Sequence, residues 1–160
     1  MAINKGKKWE EQFKDDWERC FPNTFCFRLK DQESKKKHAS KNPCDFICFP
    51  KDKLFLIELK SHKGNTFPFS CLKQYDLLES YKGLDNCICC VIIWFRDHNK
   101  VIYVDINEIT KMMQDDCKSI NIKMLQSKVY DIIDIPFEMK GNRKYPKCDY
   151  TNMLEKVDKI

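Results

Sequence analysis

Only four glycines and six prolines punctuate a chain of 160 residues, too few for a collagen-like or Pro/Gly-rich low-complexity protein. No flexible linker, internal repeat or composition break divides it. A single domain over residues 1–160 is therefore expected, long enough to bury a core of its own. Long apolar runs are missing too. The longest, "CICCVIIWF" (Cys87 to Phe95), is about half the length a membrane span needs. The opening "MAINKGKKWEEQ" has no apolar stretch of the kind a signal peptide carries. These absences lead to the expectation of a soluble, cytoplasmic protein with no membrane partner. Histidine is scarce, with three in all and no spaced pair. The one CxxC, Cys87 to Cys90, falls in a strand pattern whose alternation turns its two side chains to opposite faces. The ten cysteines therefore read as small, buried, reduced thiols and not as a zinc site or a disulfide framework.

What the chain does have is charge and aromatic residues at regular spacing. Lys and Arg number 29 against 24 Asp and Glu, a net +5. That suits an anionic partner, but where the charge sits decides more than its sum. Trp9, Phe13 and Trp17 recur every four residues between charged ones, which predicts an amphipathic helix over 4–20. "TFCFRL" (Thr24 to Leu29) reads as a short strand, followed by a polar, basic loop from Lys30 to Asn42. Cys44 to Phe49 and Lys53 to Ser61 form two strands of a hairpin turning at Pro50–Lys51–Asp52. Pro68 to Lys82 has helical spacing, with Gly83 as its stop. Cys87 to Phe95 is apolar on both faces and should be central, with Val101 to Val104 as its antiparallel neighbour. Helices are expected over Asn107 to Cys117 and Asp149 to Lys156. The order is helix, three strands, helix, two strands, helix: an α/β fold with a central mixed β-sheet flanked by helices.

The chemistry concentrates in "NPCDFICFPKDKLFLIELKSHKG", Asn42 to Gly64. Alternation sends Leu54, Leu56, Glu58 and Lys60 to one face of their strand, and Phe55, Ile57 and Leu59 to the other. The apolar face can pack under the long helix. Glu58 and Lys60 share the opposite face, about 6–7 Å apart along the strand. Counting back through the hairpin sets Asp45 opposite the Glu58 region. Converging carboxylates repel unless a cation lies between them, and an all-oxygen donor set favours Mg²⁺, with Mn²⁺ as substitute. The Leu59 carbonyl can add a further oxygen. Lys60 is then free to offset charge on a phosphorane-like transition state, so the pattern points to metal-assisted phosphodiester hydrolysis. The plain alternative for Glu58 and Lys60 is an edge-strand ion pair.

The spacing Asp45–x12–Glu58–x–Lys60 resembles the PD-(D/E)xK nuclease superfamily, with Cys44 intervening between Pro43 and Asp45. Four segments, in the right order, resemble the RecU-like Holliday junction resolvases of bacteria and phages. They are "NKGKKWEEQF" (Asn4 to Phe13), "CDFICFPKDKLFLIELK", "TFPFSCLKQYDLL" (Thr66 to Leu78) and "YPKCDYTNMLEKV" (Tyr145 to Val157), the last with Lys147 where the family has Arg. The resemblance implies a restriction-endonuclease-like core and a homodimer that binds four-way DNA junctions and makes paired nicks with Mg²⁺. It also implies an acidic cluster of Glu10, Asp45 and Glu58, a catalytic Lys60, and Gln74 beside them. The family's stalk between its first and second strands is replaced here by the shorter loop 30–42. That loop keeps Lys30, Lys35, Lys36, Lys37 and Lys41. With Lys5, Lys7, Arg28, His62 and Lys63, these are the candidate DNA contacts. Phosphate contacts of this kind position a duplex without reading its sequence. Two other readings remain open at this point: a related nuclease acting on duplex or forked DNA, and a non-catalytic junction-binding protein.

Overall fold

A computed structural model of the chain describes residues 5–30, 41–139 and 145–157. Its first elements are α1 (Lys5–Cys20), β1 (Phe25–Arg28), β2 (Phe46–Phe49) and β3 (Leu54–His62). Next come β4 (Thr66–Pro68), a 3-10 turn (Phe69–Cys71) and α2 (Tyr75–Tyr81). The centre of the chain supplies β5 (Cys87–Phe95), β6 (Lys100–Asp105) and α3 (Ile106–Gln114). Short elements follow: β7 (Ser119–Asn121), α4 (Met124–Ser127), β8 (Ile132–Asp134) and β9 (Phe137–Glu138). Then come β10 (Lys147–Cys148) and α5 (Thr151–Val157).

The main sheet has six strands in the order β1-β2-β3-β5-β6-β8. β1, β2 and β3 form an antiparallel meander, β3 and β5 run parallel, and β5, β6 and β8 are antiparallel again. The sheet is therefore mixed and covered on both sides, as the sequence led one to expect. One apolar layer joins Trp9, Phe13 and Trp17 of α1 to Phe55, Ile57 and Leu59 of β3 and to Tyr150. The other joins Leu56, Val91, Ile93 and Phe95 of the sheet to Leu78 of α2 and to Ile109 and Met112 of α3. β5 contributes to both layers and lies between β3 and β6, the central place its two-sided apolarity called for. Cys87 and Cys90 fall in opposite layers, and the cysteines are free thiols.

α1 is held by more than its aromatic stripe. Asp16, 1% exposed, accepts a bond from the Cys148 backbone N–H at 2.7 Å, and from Gln12 and Arg19 at 3.1 and 3.3 Å. Burial raises its pKa, and those bonds pull it back. This clips the first helix to β10 near the end of the chain.

The segment expected as one helix over Pro68 to Lys82 is divided. Pro68 is extended (φ −70°, ψ 136°), Phe67 pairs with Ile120, and the Phe69 N–H reaches the Lys118 carbonyl at 3.0 Å. The apolar residues at 67, 69 and 72 are buried, so tertiary pairing overrides the local spacing and the helix begins only at Tyr75. Gly83 does not supply a left-handed stop; the positive φ falls at Asn86 (57°). β4, β7, β8, β9, β10 and α4 carry two to four residues each, too little pattern to read from sequence.

Phe13 is fully buried, with ring centroids 4.7 Å from Phe46, 4.9 Å from Tyr150 and 5.6 Å from Trp17. Truncating such a side chain removes its transfer energy and leaves a cavity. We expect Phe13→Ala to cost about 3–5 kcal/mol, read as a lowered midpoint in urea unfolding. A loss below about 1 kcal/mol would mean that α1 does not seat on the sheet as described.

Candidate active site

The β2–β3 ladder pairs Phe46 with Ile57 and Cys48 with Phe55. One step beyond the strand, Asp45 arrives beside Glu58. Two backbone bonds and one to its carboxylate hold it there. The Leu29 N–H donates to the Asp45 carbonyl at 2.8 Å, the Asp45 N–H donates to the Ile57 carbonyl at 3.1 Å, and the Leu59 N–H donates to Asp45 Oδ2 at 2.7 Å.

Glu58 is 1% exposed. Its Oε1 accepts from Lys60 Nζ at 2.5 Å, while its Oε2 is buried with no hydrogen-bond partner. Burial, and then the negative charge of Asp45, push the Glu58 carboxyl up to about 8, against the pull of Lys60. Burial raises Asp45 as well, opposed first by the Leu59 N–H and then by the charge of Lys60. Lys60 Nζ also reaches Gln74 Oε1 at 3.3 Å, on the residue that precedes α2. The structure thus gathers Asp45, Glu58, Lys60 and Gln74 into one polar knot at the edge of a buried strand.

Glu10 is placed differently. It projects from α1 and is bonded by the Arg28 guanidinium at the end of β1. Among the described residues, no three His, Cys, Asp or Glu side chains form a group able to hold a metal ion. The expected triad is therefore a pair plus a third acid engaged by Arg28. Arg28, a candidate DNA contact, carries this bond at the end of β1. The Arg28–Glu10 pairing had no signal in the sequence, since the two residues lie on different elements.

Of the other candidate contacts, Lys7, Lys30, Lys41 and Lys63 are exposed. Asn42 donates to the Lys30 carbonyl at 2.7 Å, and most of the basic loop expected over 30–42 lies outside the described residues. His62 packs edge-on against Phe67 and Phe95, with centroids 5.5 and 6.1 Å away. Lys35, Lys36 and Lys37 lie outside the described residues, as does the side chain of Lys5.

The chemistry of the knot fits a hard divalent cation. Two carboxyls press on each other in a buried place, and one of their oxygens has no donor. A cation would relieve the repulsion and satisfy the orphaned oxygen.

The family model for recombination protein U, RecU, matches residues 27–151. The chain belongs to the RecU family. It is accordingly a nuclease of the resolvase type. Among solved structures, it is similar to Hjc of Archaeoglobus fulgidus, a Holliday junction resolvase from an archaeal hyperthermophile. Identity there is 13% and the TM-score 0.50, over 64% of this chain and 78% of that one. At such identity the likeness speaks for the fold, which is the restriction-endonuclease-like architecture. No curated protein matches this RecU-family chain.

The raised Glu58 pKa has a consequence for stability. Its value in the folded, metal-free protein lies near 8, above the ordinary 4.5. Its contribution is fully present below 4.5 and is lost as the pH rises through about 8. We expect the metal-free melting temperature to fall across that window, and to fall less steeply in Glu58→Gln. Equal slopes for the two proteins would contradict the burial of an ionisable Glu58.

Proposed function

We propose that this RecU-family chain hydrolyses phosphodiester bonds of four-way DNA junctions in a Mg²⁺-dependent reaction, making paired nicks as a homodimer. The observation that carries the reading is the convergence of Asp45, Glu58 and Lys60 at one edge of β3, with an orphaned carboxylate oxygen among them. Asp45, Glu58 and the Leu59 carbonyl would hold the cation, with Glu10 as the further acid. Mn²⁺ would substitute. When bound, such a cation supplies Lewis acidity and offsets the paired negative charges.

The chain's own groups do the rest. Leu59 keeps Asp45 oriented through its backbone N–H. Gln74 and Glu58 hold the Lys60 ammonium in place, so that it meets charge building on the phosphate without reorganising first. The buried floor of β3 keeps water from screening these interactions. Lys7, Lys30, Lys41 and Lys63, together with Lys35, Lys36 and Lys37 of the loop 30–42, would follow the DNA backbone. The segment 30–42 would take the place of the family's stalk in a single nuclease domain over residues 1–160. No helix among the described residues is long and apolar enough to cross a membrane. A site of action in the cytoplasm of a bacterial or phage-infected cell suits an enzyme of recombining DNA.

The test uses a synthetic four-way junction, a fork and a linear duplex at equal concentration, with and without Mg²⁺. We expect symmetric nicks in the junction, only with metal. Asp45→Asn should slow cutting about a hundredfold or more, the scale of losing several kcal/mol of charge stabilisation. Undiminished cutting by Asp45→Asn would sink the mechanism. Faster cutting of linear duplex would replace junction resolution by general duplex cleavage.

Binding to the junction should weaken steeply as salt rises, because each lysine–phosphate contact releases counterions. Replacing Lys30 and Lys41 together by Ala should flatten the slope of log affinity against log salt by roughly 2. An unchanged slope would place the DNA elsewhere.

A further inference from the structure

We propose that Arg28 is a positioning residue that keeps Glu10 away from the Asp45–Glu58 pair until a DNA phosphate takes over its guanidinium. Backbone binding and cation binding are then coupled. The inference rests on reading Asp45 and Glu58 as a cation site, and it concerns how that site is completed.

Four observations carry it. Arg28 at the end of β1 donates through Nη2 to Glu10 Oε2, an ion pair with side chains 29% and 22% exposed. The same guanidinium is near enough to Asp45 to favour its ionised form. Arg28 thus acts on acids from two elements. Arg28 Nε is buried without an acceptor, and Glu58 Oε2 is buried without a donor. Both sides of the site therefore keep an unmet polar group in this arrangement. Finally, no three-acid group exists among the described residues, although Glu10 sits on the helix that packs over β3.

The chemistry of exchange is favourable. A guanidinium presents five donors in a planar fork that matches a phosphate as well as a carboxylate. A phosphate offers the Arg28 fork the same charge-assisted bonds that the Glu10 carboxylate does, so the exchange replaces one ion pair by another and leaves no guanidinium unpaired. The released carboxylate then has a cation site to join. By linkage, whatever DNA does for cation affinity the cation does equally for DNA affinity. Such a device keeps the cation weakly held until DNA is in place.

The experiment titrates Ca²⁺, a hard cation that takes the same oxygen ligands, into the full chain, alone and saturated with a synthetic four-way junction. In the wild type the junction should tighten Ca²⁺ binding roughly tenfold. Arg28→Gln should bind Ca²⁺ without DNA as tightly as the wild type does with it, and gain nothing further from the junction. Glu10→Gln should show weak binding in both states and reports the cation held by the DNA itself. Removing a positive charge could raise cation affinity by itself, so Arg28→Gln is repeated on the Glu10→Gln background. No gain there is the expected result, and a full gain overturns the proposal. Arg28→Lys keeps the charge without the fork and guards against a folding failure; intermediate coupling is expected, and wild-type coupling overturns the proposal. So does equal Ca²⁺ affinity of the wild type with and without the junction. If Asp45→Asn loses Ca²⁺ while the Arg28 variants behave as wild type, only this inference fails. If the wild type binds no cation in either state, the reading of the site fails with it.

Discussion

The pairing of β2 with β3 is the constraint on which the site depends. A slip of one residue in that ladder would turn Phe46 and Cys48 out of the core and carry Asp45 away from Glu58. The register is held from below by Phe46 and Ile57, both fully buried beneath α1. It is closed from above by the bond from the Leu59 N–H to Asp45. The same apolar contacts that give the fold its stability therefore place two carboxylates side by side. Burial, and then the neighbouring charge of Asp45, raise the Glu58 carboxyl well above its ordinary value, and shifts of this kind concentrate at functional sites.

β3 serves two purposes at once. One of its faces carries Phe55, Ile57 and Leu59 into the layer under α1. The other begins with Leu54 and Leu56 in the second apolar layer and turns polar at Glu58 and Lys60. Its parallel partner β5 runs beside it for all nine residues from Leu54 to His62. The polar groups of β3 are thus carried by a strand paired along its whole length, and a site built on such a strand is placed more precisely than one on a loop. The cysteines belong to this scaffold. Cys44, Cys48, Cys89, Cys90 and Cys148 are buried, and burial raises their thiol pKa values out of the reactive range.

Some of this was legible in the chain because it is local. Asp45, Glu58 and Lys60 lie within a single hairpin, and two-residue alternation plus one turn is enough to bring them together. The central position of β5 follows from its apolarity on both faces, and the seating of α1 from Trp9, Phe13 and Trp17. Other features were not legible because their causes lie far away. The segment around Pro68 has helical spacing, yet it is drawn into a strand by Ile120, about fifty residues on. Gln74 drew notice through family resemblance and not through spacing; the structure bonds it to Lys60.

By itself the sequence determined the layered α/β plan, the two faces of β3 and the meeting of Asp45 with Glu58, because periodicity and a short turn act over a few residues. Tertiary structure alone decided what becomes of Glu10. Residues 10 and 28 lie on a helix and a strand that meet only after the apolar stripe of α1 has docked, and the ion pair forms across that contact. An interaction between elements carries no periodic trace in either of them, which is why the third acid could be named from the chain but its partner could not.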